Sequence, residues 1–231
     1  MDTALQIREL RKSFRAPDGS LQSVIDLPLL EVARGEQLAL RGGSGSGKTT
    51  LLHLVAGILA ADSGLVRIGD VEISARSESA RDRARAELVG YVFQTFNLLQ
   101  GYSALENVAL AMHFGRGPDL ARAKSLLLRV GLAERMDYRP RQLSVGQQQR
   151  VAVARALAGR PILVLADEPT GNLDRARADE SMALIREVCR ENQAALLLVS
   201  HDERVLGGFE RVLDLAQINR AAVTNRAEAT C

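Results

Sequence analysis

Residues 37–56 read QLALRGGSGSGKTTLLHLVA, and this stretch decides the fold. Its first four residues have the apolar character of a buried strand, and Leu51 and the residues after it have the apolar pattern of a helix. Between them lies Gly42-Gly43-Ser44-Gly45-Ser46-Gly47-Lys48-Thr49, which matches the pattern GxxxxGK followed by Ser or Thr. A strand, a glycine-rich loop of this spacing and a helix, in that order, predict a phosphate-binding P-loop.

The residue types in this loop indicate its ligand. Glycines let backbone N–H groups turn toward phosphate oxygens, and the following helix adds its positive dipole end. Lys48 supplies a cation for the terminal phosphates, and the Thr49 hydroxyl suits Mg²⁺, which prefers hard oxygen ligands. The alternative is a flexible Gly/Ser loop that matches by chance, which both flanks argue against. We therefore expect ATP and Mg²⁺, and the predicted nucleotide-binding residues here are Gly42, Gly43, Ser44, Gly45, Ser46, Gly47, Lys48, Thr49 and Thr50.

Two acidic residues follow another apolar run. Residues 162–168 read ILVLADE, so Asp167 and Glu168 stand at the carboxyl end of a predicted strand, the edge where α/β sheets bind ligands. Adjacent side chains on a strand point opposite ways. Asp167 is therefore predicted to take part in the coordination shell of the magnesium ion, and Glu168 to orient and polarise the attacking water. The alternative is an acidic loop start with no catalytic role.

A histidine follows a further strand-like run, ALLLVS at residues 195–200. A lone histidine is usually structural, but His201 stands at the same expected sheet edge as the two acids. We therefore predict that His201 donates a hydrogen bond to the γ-phosphate. His53 and His113 have no such context and receive no role.

The apolar pattern along the chain predicts an α/β fold with a parallel sheet. The strand-like runs are residues 37–40, 89–93, 162–166 and 196–200. Residues 162–166 and 194–199 are almost continuously apolar, as in central strands covered on both faces. Between residues 103 and 158 the pattern becomes helical, which predicts a helical sub-domain inserted into the α/β core. Its predicted helices are residues 104–112, 120–130 and 145–157, and the polar run 76–87 is predicted to be a solvated surface helix.

Residues 143–150 read LSVGQQQR and resemble the signature sequence of ATP-binding-cassette (ABC) proteins. Further family motifs match in order at Phe14, at Gln94 in Tyr-Val-Phe-Gln and at Asp174 in Gly-Asn-Leu-Asp, so the resemblance covers almost the whole chain. It implies that Phe14 stacks on adenine and that Gln94 takes part in magnesium binding and catalysis. Two departures are Val145, where glycine is commoner, and Phe14, where tyrosine is commoner.

The resemblance implies a head-to-tail dimer of two copies of the chain. Ser144, Gly146 and Gln147 of one copy, together with Asp174, would complete the nucleotide site at the P-loop of the other. Ser144 also begins a predicted helix, so its hydroxyl and the following N–H groups form an anion site. ATP would then hold the copies together, and hydrolysis would release them. The predicted catalytic residues are Lys48, Gln94, Glu168 and His201, and the predicted metal ligands are Thr49, Gln94 and Asp167.

The fold implied by the resemblance is α/β, with a RecA-like P-loop NTPase core, an antiparallel β edge and an inserted α-helical sub-domain. Residues 1–231 would form one ABC nucleotide-binding domain, with the core at about 1–95 and 155–223 and the helical sub-domain at about 96–154. Residues 224–231 have nothing to bury, so we expect a flexible tail.

Composition limits the possible classes of protein. The 231 residues carry a net charge of +2, with 46% hydrophobic and 25% charged residues, which is typical of a folded globular protein and gives no indication of nucleic-acid binding. The apolar runs are shorter than the roughly 20 residues of a membrane-spanning helix. The first residues lack the pattern of a secretory signal, so we expect the cytosol. Cys189 and Cys231 match no zinc or redox spacing and are predicted to be reduced thiols.

The resemblance also implies a membrane permease as partner, docking near Gln94, and hence a peripheral location on the cytoplasmic face of the inner membrane. YVFQTFNLL at residues 91–99, followed by ALENV at 104–108, resembles the branch with lipoprotein-releasing and macrolide-export ATPases. Residues 100–103 depart from the proline-containing form common in that branch, so ABC importers and cell-division relatives stay open as alternatives. The alternative is a soluble ABC ATPase acting on DNA or ribosomes, but such proteins typically carry two cassettes or a coiled-coil insert. A GTPase would show an Asn-Lys-x-Asp run, and a kinase would not need the signature helix.

Overall fold

The computed structural model describes residues 2–43 and 45–221, and their strands form two sheets. The antiparallel sheet contains β1 (Thr3–Arg15), β2 (Leu21–Ala33), β4 (Ser63–Ile68) and β5 (Val71–Glu72). The parallel sheet contains β3 (Gln37–Arg41), β6 (Val89–Val92), β7 (Leu163–Asp167), β8 (Ala195–Ser200) and β9 (Arg211–Asp214). The α-helices are α1 (Lys48–Val55), α2 (Glu78–Leu88), α3 (Ala104–His113), α4 (Leu120–Arg129), α5 (Val145–Ala158), α6 (Arg175–Glu191), α7 (Glu203–Leu206) and α8 (Leu215–Ile218).

The parallel sheet has the strand order β6-β7-β8-β3-β9 and confirms the predicted α/β core. Every residue of β7 and β8 is buried, as predicted for strands covered on both faces. Asp167 pairs with Val199, and Ser200 pairs with Arg41, so β3, β7 and β8 end side by side. The edge strand β9 was not predicted, because its residues are exposed or half-buried and form no apolar run.

The antiparallel sheet has the order β2-β1-β4-β5 and accounts for the antiparallel edge that the resemblance implied. In β1, Leu5 and Ile7 are buried while Arg8 is exposed, which is the alternation of a sheet with one face on the core. Leu5 pairs with Ile68 of β4. This sheet, α1 and one face of the parallel sheet share a single apolar cluster.

The helices α3, α4 and α5 agree with the predicted helical segments to within one residue at each end. Their caps explain why they begin where they do: Ser103, Asp119 and Ser144 each accept a hydrogen bond from a backbone N–H of the first turn. Their apolar faces pack with the other face of the parallel sheet in a second cluster. Burying one leucine such as Leu127 in this cluster contributes about 1.5–3 kcal/mol. The predicted sub-domain boundary between residues 154 and 155 falls inside α5 and remains a prediction.

The remaining sequence predictions concern the surface. In α2 only Ala84 is buried, as expected of a solvated helix. Across the described ranges, no helix combines the length and the apolar character needed to cross a bilayer. Cys189 is a buried free thiol whose pKa burial raises to about 12. The predictions for Ser44, for Cys231 and for the tail lie outside the described residues.

Candidate functional site

The glycine-rich loop joins the end of β3 to the start of α1. Gly47 precedes α1 with φ of 90°, a left-handed conformation that side chains disfavour, and a Cβ there would lie 3.1 Å from Ile25. A Cβ on Gly42 would lie 2.5 Å from the Oγ of Ser46. That Oγ is buried and has no hydrogen-bond partner among the described residues. The loop therefore requires glycine and offers an unused hydroxyl to a ligand.

The ammonium of Lys48 lies inside this loop. Its Nζ donates to the carbonyl oxygens of Gly42 at 2.7 Å and Gly43 at 2.8 Å, and lies 3.5 Å from Oε1 of Glu168. The lysine side chain is 10% exposed. A buried cation whose partners are mostly neutral carbonyls is well placed to bind a phosphate anion.

Thr49 and Asp167, two of the three predicted magnesium ligands, are hydrogen-bonded to each other. The Thr49 Oγ1 donates a hydrogen bond of 2.9 Å to Oδ2 of Asp167. Burial raises the pKa of Asp167, and the neighbouring Glu168 raises it further, while the bond from Thr49 and the electrostatic interactions with His53 and Lys48 lower it. A carboxylate that is costly to ionise is stabilised by a nearby cation.

Glu168 has a different environment from its neighbour. Its φ of 44° lies in the left-handed region, which costs a non-glycine residue about 1–3 kcal/mol and is typical of functional positions. Its Oε1 lies 2.7 Å from Nδ1 of His201, and its Oε2 accepts a hydrogen bond of 3.1 Å from Oγ of Ser200. The side chain is 12% exposed, so its carboxylate is held at the sheet edge and not in bulk solvent.

One cavity of about 530 Å³ brings most of the predicted site together. Gln94 contributes from the segment after β6, where its carbonyl oxygen also accepts a hydrogen bond of 2.8 Å from Asn172. Gly42 contributes through its bond to Lys48. The predicted residues that line the cavity are Gly43, Gly45, Ser46, Gly47, Lys48, Thr49, Thr50, Gln94, Asp167, Glu168 and His201.

The residues predicted from the signature motif lie elsewhere on the chain. Ser144, Gly146 and Gln147 line a separate cavity of about 260 Å³ at the start of α5. There the Oγ of Ser144 accepts from the Gln147 N–H, and the Oε1 of Gln147 accepts from the Ser144 N–H. Asp174 caps α6, where its Oδ1 accepts from the N–H of Arg177 at 3.1 Å. Within one chain these side chains are therefore outside the phosphate cavity.

Phe14 is also outside the phosphate cavity. It lies on β1, is 39% exposed, and has Nζ of Lys12 5.5 Å from its ring centroid. Val24 of the neighbouring β2 does line the cavity, so the two strands pass beside the site. The ring is accessible, but Phe14 is not among the described residues that line the phosphate cavity.

Three polar residues beside the site were not predicted. Ser200 donates a hydrogen bond to Glu168. The sequence feature that could have indicated it is a polar residue at the end of an apolar strand. Gln149 is 1% exposed and donates to the carbonyl oxygen of Pro169 at 2.7 Å. The sequence feature that could have indicated it is a polar residue on the buried face of α5. Arg155 donates to the carbonyl oxygens of the segment after Gln94, and no sequence signal indicated this contact.

A groove of about 540 Å³ lies between α2, β6, α3 and α5, and its lining includes Phe93, the residue before Gln94. Tyr91, Phe93 and Phe114 supply its apolar surface, and the ring of Tyr91 stacks on Phe93 with centroids 4.0 Å apart. Phe114 is 72% exposed. The groove also contacts Arg155, so it adjoins the segment that carries Gln94.

Comparison with protein families and curated proteins identifies relatives of the chain. The family described as "ABC transporter" matches residues 28–171. The chain is 43% identical to the "Lipoprotein-releasing system ATP-binding protein LolD" of Novosphingobium aromaticivorans over 93% of its length and 96% of that protein. It is 47% identical to the protein of the same name from Anaeromyxobacter dehalogenans, over 80% of each chain.

Two solved structures are similar in fold to this chain. The fold matches "Dimeric structure of a post-hydrolysis state of the ATP-binding cassette MJ0796 bound to ADP and Pi" with a TM-score of 0.81 and 31% identity. The match covers 91% of this chain and 93% of that one. A second structure, "Dimeric Structure of MJ0796, a Bacterial ABC Transporter Cassette", matches with the same TM-score and 32% identity.

Proposed function

This chain belongs to the ABC transporter family, and from that premise we propose that it is the ATP-hydrolysing subunit of a transporter of the lipoprotein-releasing type. The observation that carries the proposal is the convergence at one sheet edge of the P-loop lysine, the Thr49–Asp167 pair and Glu168. ATP hydrolysis needs a phosphate cradle, a magnesium site and an acceptor for the attacking water, and this edge offers all three.

The protein residues divide the work of binding and hydrolysis. N–H groups of the glycine-rich loop and the N-terminus of α1 face the phosphates. Lys48 replaces its hydrogen bonds to the loop carbonyl oxygens with bonds to phosphate oxygens. Glu168 orients the water and accepts its proton, and His201 donates to the γ-phosphate. The products are ADP and phosphate.

The donor set fits Mg²⁺. No group of three or more His, Cys, Asp or Glu side chains in the described ranges could hold a metal by itself. Protein-bound Mg²⁺ typically uses one or two carboxylates, substrate phosphates and waters, and it neutralises charge on the phosphates. Thr49, Asp167 and the Gln94 amide oxygen would supply the protein ligands from one cavity.

The separation of the signature residues from the phosphate cavity supports a second copy of the chain as partner. Ser144 opens a 14-residue helix whose N–H groups suit an anion, yet within one chain it does not meet the phosphate loop. A head-to-tail dimer would place Ser144, Gly146 and Gln147 of one copy over the γ-phosphate bound by the other. Phe14 would then stack on adenine, and Asp174 would lie at the same interface.

The groove beside Gln94 is the proposed docking site of a membrane permease. Its aromatic surface, with Phe114 72% exposed, can take an apolar segment of the partner. A permease bound there would hold the chain at the cytoplasmic face of the inner membrane. Arg155 lines the groove and donates to the carbonyl oxygens of Phe96 and Asn97, so docking at the groove would act on the segment that follows Gln94.

ATP binding by matched lysine variants tests the nucleotide site. Lys48→Ala is expected to weaken ATP affinity at least about tenfold, because a charge-assisted bond to phosphate contributes about 1.5–3 kcal/mol. Lys124→Ala, on the surface of α4, removes the same charge away from the site and is expected to leave affinity unchanged. Equal affinity of the two variants by calorimetry would contradict the proposed site.

A further inference from the structure

We infer that Ser200 is a positioning residue for hydrolysis, whose hydroxyl holds the Glu168 carboxylate while Lys48 and His201 turn to the nucleotide. This inference rests on the role proposed above for Glu168 and adds a residue that the sequence motifs do not include.

The direction of the Ser200 hydrogen bond follows from its partners. Ser200 is the last residue of β8 and is 1% exposed. Its Oγ lies 3.1 Å from Oε2 of Glu168 and accepts from the Asp202 N–H at 3.1 Å. A hydroxyl has one proton to donate, and an ionised carboxylate can only accept. The single proton of Ser200 is therefore donated to Glu168, while a lone pair takes the bond from Asp202.

The two oxygens of the Glu168 carboxylate have different kinds of partner. Oε1 lies 2.7 Å from Nδ1 of His201 and 3.5 Å from Nζ of Lys48, and both of these groups are proposed to bind phosphate oxygens. Oε2 is bonded to Ser200, which has no role toward the nucleotide. When phosphates draw Lys48 and His201 away, Oε1 becomes free to accept from water and the Ser200 bond remains.

Strand β8 supplies hydrogen-bond partners for both the backbone and the side chain of Glu168. Its backbone turns into the left-handed region with φ of 44°, and its N–H donates to the carbonyl oxygen of Val199 at 3.1 Å. The carbonyl oxygen of Ser200 also accepts from the N–H of Gly42 at 3.3 Å. Ser200 thus joins the start of the phosphate loop to the carboxylate, and a fully buried strand gives this link a fixed position.

Steady-state kinetics of the full chain test the inference. Ser200→Ala is expected to lower kcat roughly 10- to 100-fold, the loss typical when an outer partner of a functional ligand is removed. The KM for ATP should change less than about twofold, because the phosphate contacts remain. Ser200→Thr keeps the hydroxyl and should recover most of kcat. The matched control is Ser74→Ala, which removes a half-buried hydroxyl that accepts from Val66 N–H outside the site.

Measurements in the Glu168→Gln background distinguish a positioning role of Ser200 from general damage to the structure. In the Glu168→Gln variant, Ser200→Ala is expected to lower the residual single-turnover rate by less than about twofold, because residues that act as a unit are not additive. An equal fold loss with and without Glu168, or wild-type kcat in Ser200→Ala, would overturn the inference. A raised KM at unchanged kcat would assign Ser200 to the phosphate loop instead. Wild-type turnover in Glu168→Gln alone would refute the role proposed for Glu168, whereas absence of ATP hydrolysis by the unmodified chain would refute the proposed function.

Discussion

At the scale of single residues, adjacent acids with the same charge have different environments. Asp167 ends a regular buried strand and pairs with the Thr49 hydroxyl. Glu168 has a left-handed backbone and meets Ser200, His201 and Lys48. The sequence predicted both acids and their sheet edge. It could not predict the partners of Glu168, because these depend on how β7 and β8 are aligned.

Asp167→Asn is expected to stabilise the nucleotide-free chain near neutral pH. Burial raises the pKa of Asp167, so its ionised form lowers the stability of the folded state above the ordinary pKa of an aspartate. The gain in stability of Asp167→Asn should therefore be present at about pH 7 and vanish at about pH 3, where the carboxyl of Asp167 is protonated in the folded and the unfolded state. A change of about 1 kcal/mol would shift the Tm by about 2–4 °C in a domain of this size.

The control for this prediction is Asp18→Asn. Hydrogen bonds from Ser20 lower the pKa of Asp18, so its ionised form is favoured and the amide should bring no gain in Tm. Magnesium-dependent hydrolysis should be lost in Asp167→Asn only. A Tm difference for Asp167→Asn that is the same at both pH values would contradict the burial argument.

At the scale of secondary structure, α5 connects the two halves of the proposed site. It begins at the signature residues, and Arg155 near its end donates to the carbonyl oxygens of Phe96 and Asn97, both at 2.5 Å. Phe96 and Asn97 have φ of 58° and 49°, so two successive residues are held in the left-handed region. Burial lowers the pKa of Arg155, whose guanidinium donates to both of these carbonyl oxygens.

Arg155→Ala is expected to lower the free energy of unfolding by about 2–4 kcal/mol, because it leaves carbonyl groups without their donor and removes a packed side chain. The segment with Gln94 should then relax, and kcat should fall by about tenfold or more. Urea unfolding and ATPase kinetics measure the two effects. Arg141→Ala, at an exposed position, should stay within about 0.5 kcal/mol of the unmodified chain. Equal stability of the two variants would contradict this role.

The elements differ in how well the sequence predicts them. The helices α3, α4 and α5 combine a periodic apolar face with a capping residue, so both their type and their ends were predicted. The strands β1 and β2 were implied only by the resemblance, because their alternating pattern mixes charged residues such as Arg8 with short apolar steps. The strand β9 gains its place from pairing with β3, which no local pattern reveals.

At the scale of the whole molecule, the proposed site residues lie in two separate places on one chain. Lys48 lies in one cavity and Gly146 in another. A Cβ on Gly146 would meet no atom within 4 Å, so a substitution there leaves the fold of the single chain undisturbed. We therefore expect any effect of this position on hydrolysis to arise between chains.

A mixture of variants tests this arrangement. Lys48→Ala and Gly146→Asp are each expected to abolish hydrolysis, since the first loses the phosphate cation and the second places a negative charge toward phosphate. Mixed in equal amounts, they should regain activity, because a mixed dimer has one site with an intact lysine and an intact glycine. Absence of recovery in a mixture shown to contain mixed dimers would contradict the head-to-tail arrangement.

The partner surface has its own test. Capture of the chain from membranes of its native host should recover a permease, identified by mass spectrometry, and Phe114→Asp should lose it, because a charge in the groove opposes apolar docking. Phe114 is 72% exposed, so the substitution has little effect on folding. Leu21→Asp, at a residue equally exposed on β2, is the control and should retain the permease. Recovery of ribosomal or DNA-repair proteins in place of a permease would contradict the transporter role.

The most direct measurement is ATP turnover and ATP binding by Glu168→Gln, with Glu78→Gln on the exposed α2 as control. Loss of the acceptor for the water proton should lower kcat by about 100-fold or more, the range of general-base contributions. ATP affinity should stay within about threefold, and the variant should accumulate as an ATP-bound dimer. Turnover within about twofold of the unmodified chain would show that Glu168 does not activate the water, and would contradict the account of this site.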